Sequence, residues 1–158
     1  MGNMGNIRKP LLVIQECLVE MGLPYDVFDV DEENQKVSLE YAGDNGEWKI
    51  AIVVYEEDEE IMAVSIMPEL VPYDRRRIVS EFIGRVNFGF TIGGFDIDYD
   101  DGEVRFKAGL SIPSTGLTIE MVQPLIMSGI VNADEHFFTT FQEVMAGEKT
   151  PAQAAGDE

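Results

Sequence analysis

Residues 95–108 read FDIDYDDGEVRFKA, and their alternating acidic side chains are compatible with either a calcium loop or a β-hairpin. An EF-hand calcium loop has acidic ligands at positions 1, 3 and 5, glycine at position 6 and a bidentate glutamate at position 12. Counted from Asp96, the glycine comes one position late, at Gly102, and Lys107 occupies the position of the glutamate. The flanking residues also alternate with the period of a strand. The pattern therefore predicts a hairpin and not a metal site.

The sequence also predicts the turn and the register of this hairpin. Asp101-Gly102 suits a two-residue turn, because such a turn needs residues that tolerate a positive φ. The resulting register sets Asp98 opposite Arg105 and Asp96 opposite Lys107, and opposite charges on facing positions stabilise a sheet. The other face is apolar and is predicted to help build the core; it consists of Phe95, Ile97, Tyr99, Val104, Phe106 and Ala108.

Two upstream strands are predicted at residues 36–42 and 47–55, where apolar side chains alternate with polar or small ones. A two-residue Asn-Gly turn and a four-residue loop at 43–46 would leave the same residues on the same faces. The four-residue loop is favoured because it also sets Glu40 opposite Lys49.

Residues 61–67 (IMAVSIM) predict a strand that follows an acidic hairpin loop at 56–60. Both faces of this strand are apolar, whereas a sheet with one solvated face shows alternating apolar and polar residues. We therefore expect the second face of the sheet to be covered, either by a helix or by another subunit. Ile66 is accordingly a candidate contact residue. A further short strand is predicted at residues 25–31, at an edge of the sheet.

Two helices are predicted near the ends of the chain. Residues 10–22 carry an apolar stripe at helical spacing, and Cys17 borders it as a small buried residue. Residues 117–146 show similar spacing. A straight helix of that length would measure about 42 Å, whereas the expected radius of gyration of the chain is about 15 Å. Pro124 and Gly129 are therefore predicted to kink or break it.

Another helix is predicted to follow Asp74, a suitable N-cap residue. Its first turn then contains Arg75, Arg76 and Arg77, at the end where the helix dipole disfavours positive charge. Two interpretations stay open. Nearby acidic side chains pair with the arginines, or the arginines contact an acidic partner or a second subunit.

Composition narrows the range of functions. The chain has 158 residues, the length of one domain, and a formal net charge of -19 from 30 acidic and 11 basic residues. Such a surface repels phosphate backbones, so neither nucleic acid nor an anionic membrane is an expected partner. The single cysteine and the lack of a signal peptide or a membrane span predict a cytoplasmic protein. The only histidine, His136, belongs to no catalytic or metal-ligating pattern, so we expect neither an enzyme nor a cofactor.

Several motifs resemble the YbjN family: Val71-Pro72, Arg85-Val86-Asn87, GFDIDY at 94–99, GEVRF at 102–106 and the helix start Leu117-Thr118. The similarity covers most of residues 10–152. It implies an α+β fold like that of the type III secretion chaperones. The expected fold is an antiparallel sheet of five or six strands with helices packed on it, in the order α-β-β-β-α-β-β-α. We expect a single domain at residues 7–147, with flexible tails at 1–6 and 148–158.

The resemblance also implies a non-enzymatic role. Secretion chaperones are small, acidic and dimeric, and YbjN proteins are described as sensory-transduction or stress regulators. We therefore expect a homodimeric protein-interaction module, chaperone-like or regulatory, with an unidentified protein partner. The candidate contact residues are Ile66, Arg75, Arg76, Arg77, Phe88 and Phe90. The alternative is a small-molecule-binding or enzymatic domain with a pocket between the helices and the sheet.

Overall fold

The chain folds around a six-stranded antiparallel sheet with the strand order β1-β2-β3-β4-β6-β5. The structure is a computed structural model that describes residues 7–29 and 34–157. The strands are β1 (Asp26–Asp29), β2 (Asn34–Ala42), β3 (Glu47–Tyr55), β4 (Glu60–Ile66), β5 (Gly94–Ile97) and β6 (Val104–Ser111). The helices are α1 (Pro10–Glu20), α2 (Arg76–Asn87), α3 (Ile119–Gly129), α4 (Phe138–Met145) and α5 (Pro151–Ala154), with a 3₁₀ turn at Tyr73–Arg75 and a π-helical segment at Ile130–Phe137. The α+β prediction is confirmed, and β1 is the predicted edge strand, whose last two predicted positions lie outside the described residues.

The helices bury one face of the sheet. Alternate residues of the strands form one hydrophobic cluster with the buried residues of α1 to α4. In this cluster the fully buried ring of Phe141 in α4 packs edge-on against Phe82 in α2 and Phe95 in β5. Both pairs of ring centroids are 4.9 Å apart, a favourable geometry for aromatic pairs. These contacts hold the helical layer on the sheet.

The β2–β3 hairpin forms as predicted. Glu40 lies opposite Lys49, and the connecting loop at 43–46 is closed by a 2.8 Å hydrogen bond from the Gly43 N–H to the Gly46 carbonyl. The acidic residues predicted to form a hairpin loop at 56–60 likewise make the turn between β3 and β4. Alternation and turn chemistry were therefore sufficient to predict this half of the sheet.

The hairpin at residues 95–108 also forms, but its predicted register is wrong by two residues. Phe95 faces Phe106, because the strands are joined by residues 98–103 and not by a two-residue turn. The side chains of Asp98 and Asp101 each accept a 2.8 Å hydrogen bond from the backbone N–H two residues further along. Such side-chain bonds stabilise a longer loop.

A shift of two residues keeps each strand residue on its predicted face, because side chains alternate with a period of two. Asp96 therefore still pairs with Lys107, at 2.6 Å, and also pairs with Arg105, at 3.0 Å. The shift does move Tyr99 into the loop, where its side chain is 53% exposed. The prediction that Tyr99 helps to build the core is wrong for this reason.

The long C-terminal helix changes its geometry at Gly129 and not at Pro124. α3 continues through Pro124, and the π-helical segment begins directly after Gly129. A Cβ atom at Gly129 would lie 2.5 Å from Oγ of Ser65 in β4. The change in geometry therefore follows a position where the helix lies close to the sheet.

The chain after α4 includes residues 148–158, for which the sequence predicts a flexible tail. It contains α5, whose first turn is closed by a capping box at Thr150. Asp157 forms an ion pair with Arg85 of α2, at 3.0 Å. This segment is therefore attached to α2, whereas the other predicted tail, residues 1–6, lies outside the described residues.

Candidate interaction surface

One face of the sheet is not covered by any helix that the structure describes. This open face consists of the even-numbered residues of β1, β2, β4 and β5 and the odd-numbered residues of β3 and β6. None of them belongs to the hydrophobic cluster beneath the helices. The centre of the open face is apolar and consists of Ala51, Val53, Met62, Val64 and Ile66. The two-sided apolar pattern of residues 61–67 thus reflects a real second surface.

The open face is almost neutral, although the chain as a whole carries -19. Its charged residues are the five carboxylates Asp26, Glu40, Glu47, Glu60 and Asp96 and the four cations Lys36, Lys49, Arg105 and Lys107. The face therefore carries a net charge of -1, which leaves -18 for the rest of the chain. The chain has 11 basic residues, so more than a third of them lie on this surface.

A groove of about 720 Å³ runs along the open face beside β1. It is lined by Phe28 and Lys36 on one side and by Lys49 and Ile66 on the other. The Lys36 Nζ atom lies 5.9 Å from the centroid of the Phe28 ring, within the range of a cation–π contact. Neither lysine forms an ion pair with another described residue. This groove is on the open face, whereas the alternative function required a pocket between the helices and the sheet.

The three arginines of the predicted cluster have different environments. Asp74 lies inside the 3₁₀ turn and does not cap α2, whose N-cap residue Arg75 makes no side-chain capping bond. The Arg75 side chain donates a 2.6 Å hydrogen bond to the carbonyl of Val144. The Arg76 side chain donates to three carbonyls at 2.9 to 3.2 Å. Arg77 is exposed. Within the fold, the acceptors for the first two arginines are therefore backbone carbonyls and not the carboxylates expected from the sequence. Contact of the arginines with a partner stays a prediction.

The two candidate phenylalanines differ in their exposure. Phe88, at the end of α2, is 95% exposed. Phe90 is half-buried and packs against Phe95, Phe106 and Phe137, with ring centroids 5.5 to 5.9 Å apart. The structure therefore leaves Phe88 accessible to a partner, while Phe90 attaches the α2–β5 loop to the sheet.

A buried carboxylate that no sequence motif indicated links the β2–β3 loop to the π-helical segment. Asp134 is 1% exposed and accepts hydrogen bonds from Nε1 of Trp48, at 2.9 Å, and from the N–H of Asn45, at 3.2 Å. The side-chain amide of Asn45 also donates a hydrogen bond to the backbone carbonyl of Asp134, at 2.9 Å. The loop comes this close because of Gly43, where any Cβ atom would collide with the carboxylate. The arrangement is a structural link, because the carboxylate accepts its hydrogen bonds from within the fold.

The pKa values of Cys17 and Tyr41 are raised. Burial, with a smaller effect from Glu20, raises the pKa of the Cys17 thiol above its ordinary value of 9.0. A nucleophilic cysteine needs the opposite shift, so the interpretation of Cys17 as a core residue is confirmed by its complete burial. Burial also raises the pKa of Tyr41, and the nearby carboxylate of Asp134 adds to the effect. His136 is exposed, as expected for a helix surface.

The part of the chain that the structure describes contains neither a cluster of metal-ligating side chains nor a helix that could cross a membrane. In residues 7–29 and 34–157, no three or more His, Cys, Asp or Glu side chains are arranged to hold a metal ion. Within the same residues, no helix has the length and apolar character needed to cross a bilayer. The aspartates of the β5–β6 loop instead accept hydrogen bonds from the backbone of that loop.

Residues 10–143 match the model of the YbjN family, which is described as "Putative bacterial sensory transduction regulator". The chain belongs to the YbjN family. The match begins with α1 and ends within α4, so it includes the whole sheet. The resemblance inferred from the sequence motifs is therefore confirmed, and the family description is that of a regulator and not of an enzyme.

Among solved structures, this YbjN-family chain is similar to the crystal structure of YbjN from E. coli, which is described as "a putative transcription regulator". The TM-score is 0.52 at 14% sequence identity, and the alignment covers 89% of this chain and 94% of that chain. A likeness at this identity shows a common fold. A search of curated proteins found no match.

Proposed function

We propose that this YbjN-family chain is a non-enzymatic protein-interaction module, of a chaperone-like or regulatory kind, that forms a homodimer through its open face. The observation that carries the proposal is the apolar, nearly neutral surface on a sheet without a second layer of described helices. A cytoplasmic location belongs to the proposal, since the single cysteine is a buried thiol. Nucleic acid is not a proposed partner, because a net charge of -19 opposes its binding.

The size of the open face suits a dimer. Two sheet faces pack about 10 Å apart when their apolar side chains interdigitate. At a strand spacing of about 4.8 Å and a rise of about 3.3 Å per residue, the face measures roughly 24 by 23 Å, or roughly 550 Å² in projection. A stable interface buries about 800 Å² of accessible surface per partner, and side chains standing on a face of this size provide a comparable area.

Charge favours the open face over the other surfaces. Two copies of a chain with a net charge of -19 repel each other, and a contact through the open face, whose net charge is -1, brings little negative charge together. In a two-fold dimer the same patch meets itself. Lys36 and Lys49 of one copy can then pair with Asp26 and Glu40 of the other, because all four side chains line the same groove.

Light scattering at micromolar concentration on the wild type and on Val53→Glu tests this proposal. Val53 lies opposite Lys36, so a glutamate there can pair across the strands and leave the monomer folded. In the dimer the same carboxylate would be buried against the other copy, and the desolvation of a buried charge opposes association even beside Lys36. We expect a dimeric wild type and a folded, monomeric variant. The matched control is Val19→Glu, at a position in α1 that is 67% exposed, which should stay dimeric.

Ile66→Glu gives an independent check on the same face. Ile66 lies between Lys49 and Arg105 in the sheet, so a glutamate is again tolerated in the monomer and should again abolish the dimer. A wild type that stays monomeric at all micromolar concentrations would contradict the homodimer. A dimer that survives both substitutions would exclude the open face as its interface.

A further inference from the structure

We infer that a pocket between the start of α2 and the segment leading into α5 binds the phosphate group of a small phosphorylated molecule. The pocket has a volume of about 480 Å³, within the usual range for small-molecule sites of roughly 300–1,000 Å³. Arg75 and Arg77 line it from α2, and Lys149 lines it from the opposite segment. Three basic side chains thus surround one cavity in a chain with only 11 basic residues.

The positive charge of this pocket is only partly neutralised by ion pairs with described residues. Glu81 also lines the cavity, but its carboxylate pairs with Arg85, at 3.1 Å. Lys149 pairs with Glu143, at 2.7 Å. The two arginines of the pocket form no ion pair with any described residue. An anion in the cavity would therefore meet two guanidinium groups that have no carboxylate partner.

Arg75 has a donor that the fold does not use. Its Nε atom is buried without a hydrogen-bond partner, and no other side-chain atom of the described residues is in that condition. The 2.6 Å bond from Nη2 to the Val144 carbonyl fixes the position of the guanidinium group. Buried donors are nearly always satisfied in folded proteins. A guanidinium group that is held in place at the wall of a cavity is suited to an anion with several acceptor oxygens.

The chemistry of the pocket favours phosphate over a carboxylate. A phosphate group offers more acceptor oxygens and a higher charge, so it can bind cations from both sides of the cavity at once. The cavity is larger than a phosphate group, and Ile78, Thr150 and Pro151 line it as well. These side chains offer apolar and hydroxyl surface to an organic group. A nucleic acid polymer would also meet the acidic surface outside the pocket, which repels it.

The test is an NMR titration of the ¹⁵N-labelled chain with glycerol 3-phosphate, inorganic phosphate and acetate, at an ionic strength held constant with sodium chloride. We expect saturable shifts of the Arg75 Nε–H and of the Gly147 and Lys149 amides. Glycerol 3-phosphate should bind more tightly than inorganic phosphate because it also contacts the apolar lining. The pocket lies on the helical side of the sheet, so the result does not depend on dimerisation through the open face.

Three variants separate binding in the pocket from general attraction to cations. Arg77→Gln should weaken binding about fivefold, the upper range for one exposed ion pair. Glu143→Gln should tighten binding, because it releases Lys149 from its ion pair. Lys9→Gln removes the same charge as Arg77→Gln, at an exposed position before α1, and should change nothing.

Some results would overturn this inference. Shifts that do not saturate, or an affinity that Arg77→Gln leaves unchanged, would exclude the pocket as a site. Acetate binding as tight as that of inorganic phosphate would refute the preference for phosphate. Inorganic phosphate binding as tight as that of glycerol 3-phosphate would refute an organic ligand.

Discussion

Replacing Asp134 with alanine is expected to lower the free energy of unfolding by about 3 kcal/mol. The carboxylate is 1% exposed and accepts hydrogen bonds from Trp48, at 2.9 Å, and from the Asn45 N–H, at 3.2 Å. Alanine removes both acceptors. The indole N–H is then left without a partner in the interior, because Trp48 is itself only 2% exposed.

The magnitude follows from two opposing contributions. A hydrogen bond to a charged acceptor contributes about 1.5–3 kcal/mol, so the two bonds together contribute about 3–6 kcal/mol. Deleting the buried carboxylate also removes its desolvation cost, which offsets part of this loss. A net loss of about 3 kcal/mol corresponds to a fall in Tm of about 6–12 °C for a chain of this length.

Urea unfolding followed by tryptophan fluorescence measures the change directly, because Trp48 is the only tryptophan of the chain. Glu135→Ala is the matched control, since it removes an exposed carboxylate from the same segment and should cost less than about 0.5 kcal/mol. Gly43→Ala provides a second comparison. Its Cβ atom would collide with the Asp134 carboxylate, so this substitution should cost much more in the wild type than in Asp134→Ala.

Two results would refute this reasoning. A loss below about 1 kcal/mol for Asp134→Ala would mean that the hydrogen bonds contribute no more than the desolvation of the carboxylate costs. Equal costs for Gly43→Ala in both backgrounds would mean that the glycine and the carboxylate are not in close contact. Either result would remove Asp134 as the link between the loop and the helices.

Two further predictions concern the pH dependence of stability and the packing of Phe141. Stability should fall as the pH rises above about 9, because burial raises the pKa of Cys17 above 9.0 and that of Tyr41 above 10.0, so the folded state retains protons that the unfolded state releases. Tyr41→Phe should flatten the fall above pH 10 in thermal scans, and an unchanged slope would contradict this cause. Phe141→Ala should cost about 3–5 kcal/mol, because the ring is 0% exposed and contacts two other rings at 4.9 Å. An unchanged urea midpoint would mean that this ring does not hold the helical layer.

Most of the fold could be predicted because its signals are local. The alternation in β2 and β3, together with the opposite charges of Glu40 and Lys49 at facing positions, indicates both the faces and the register of that hairpin. The apolar residues on both faces of 61–67 likewise indicate a second surface from the amino-acid pattern alone. Such signals depend only on neighbouring residues and on the period of a strand.

The register of the β5–β6 hairpin was harder to predict because two registers satisfy the same pattern. A shift of two residues preserves every face, so the apolar alternation cannot distinguish them. Hydrogen bonds from the loop backbone to the side chains of Asp98 and Asp101 favour the longer loop. Opposite charges face each other in both registers, so the charge pattern does not distinguish the two registers either.

The other parts of the candidate sites depend on contacts between distant residues. Asp134 and Asn45 are 89 positions apart, and Arg75 and Val144 are 69 positions apart. No short motif records such a contact. For this reason the sequence showed an arginine cluster but could not show that Arg75, Arg77 and Lys149 line one pocket.

The strand order has a consequence for synthesis of the chain. β1 to β4 pair in succession, and β5 pairs with β6, but β4 obtains its second neighbour only from β6. Residues 67–103 separate these two strands, and a ribosome needs roughly 2–8 s to make a segment of that length. During this interval the nascent sheet has an unpaired β4 edge and an exposed apolar face, the features that promote aggregation. The acidic residues 56–60 at the start of this edge would oppose such association by charge repulsion.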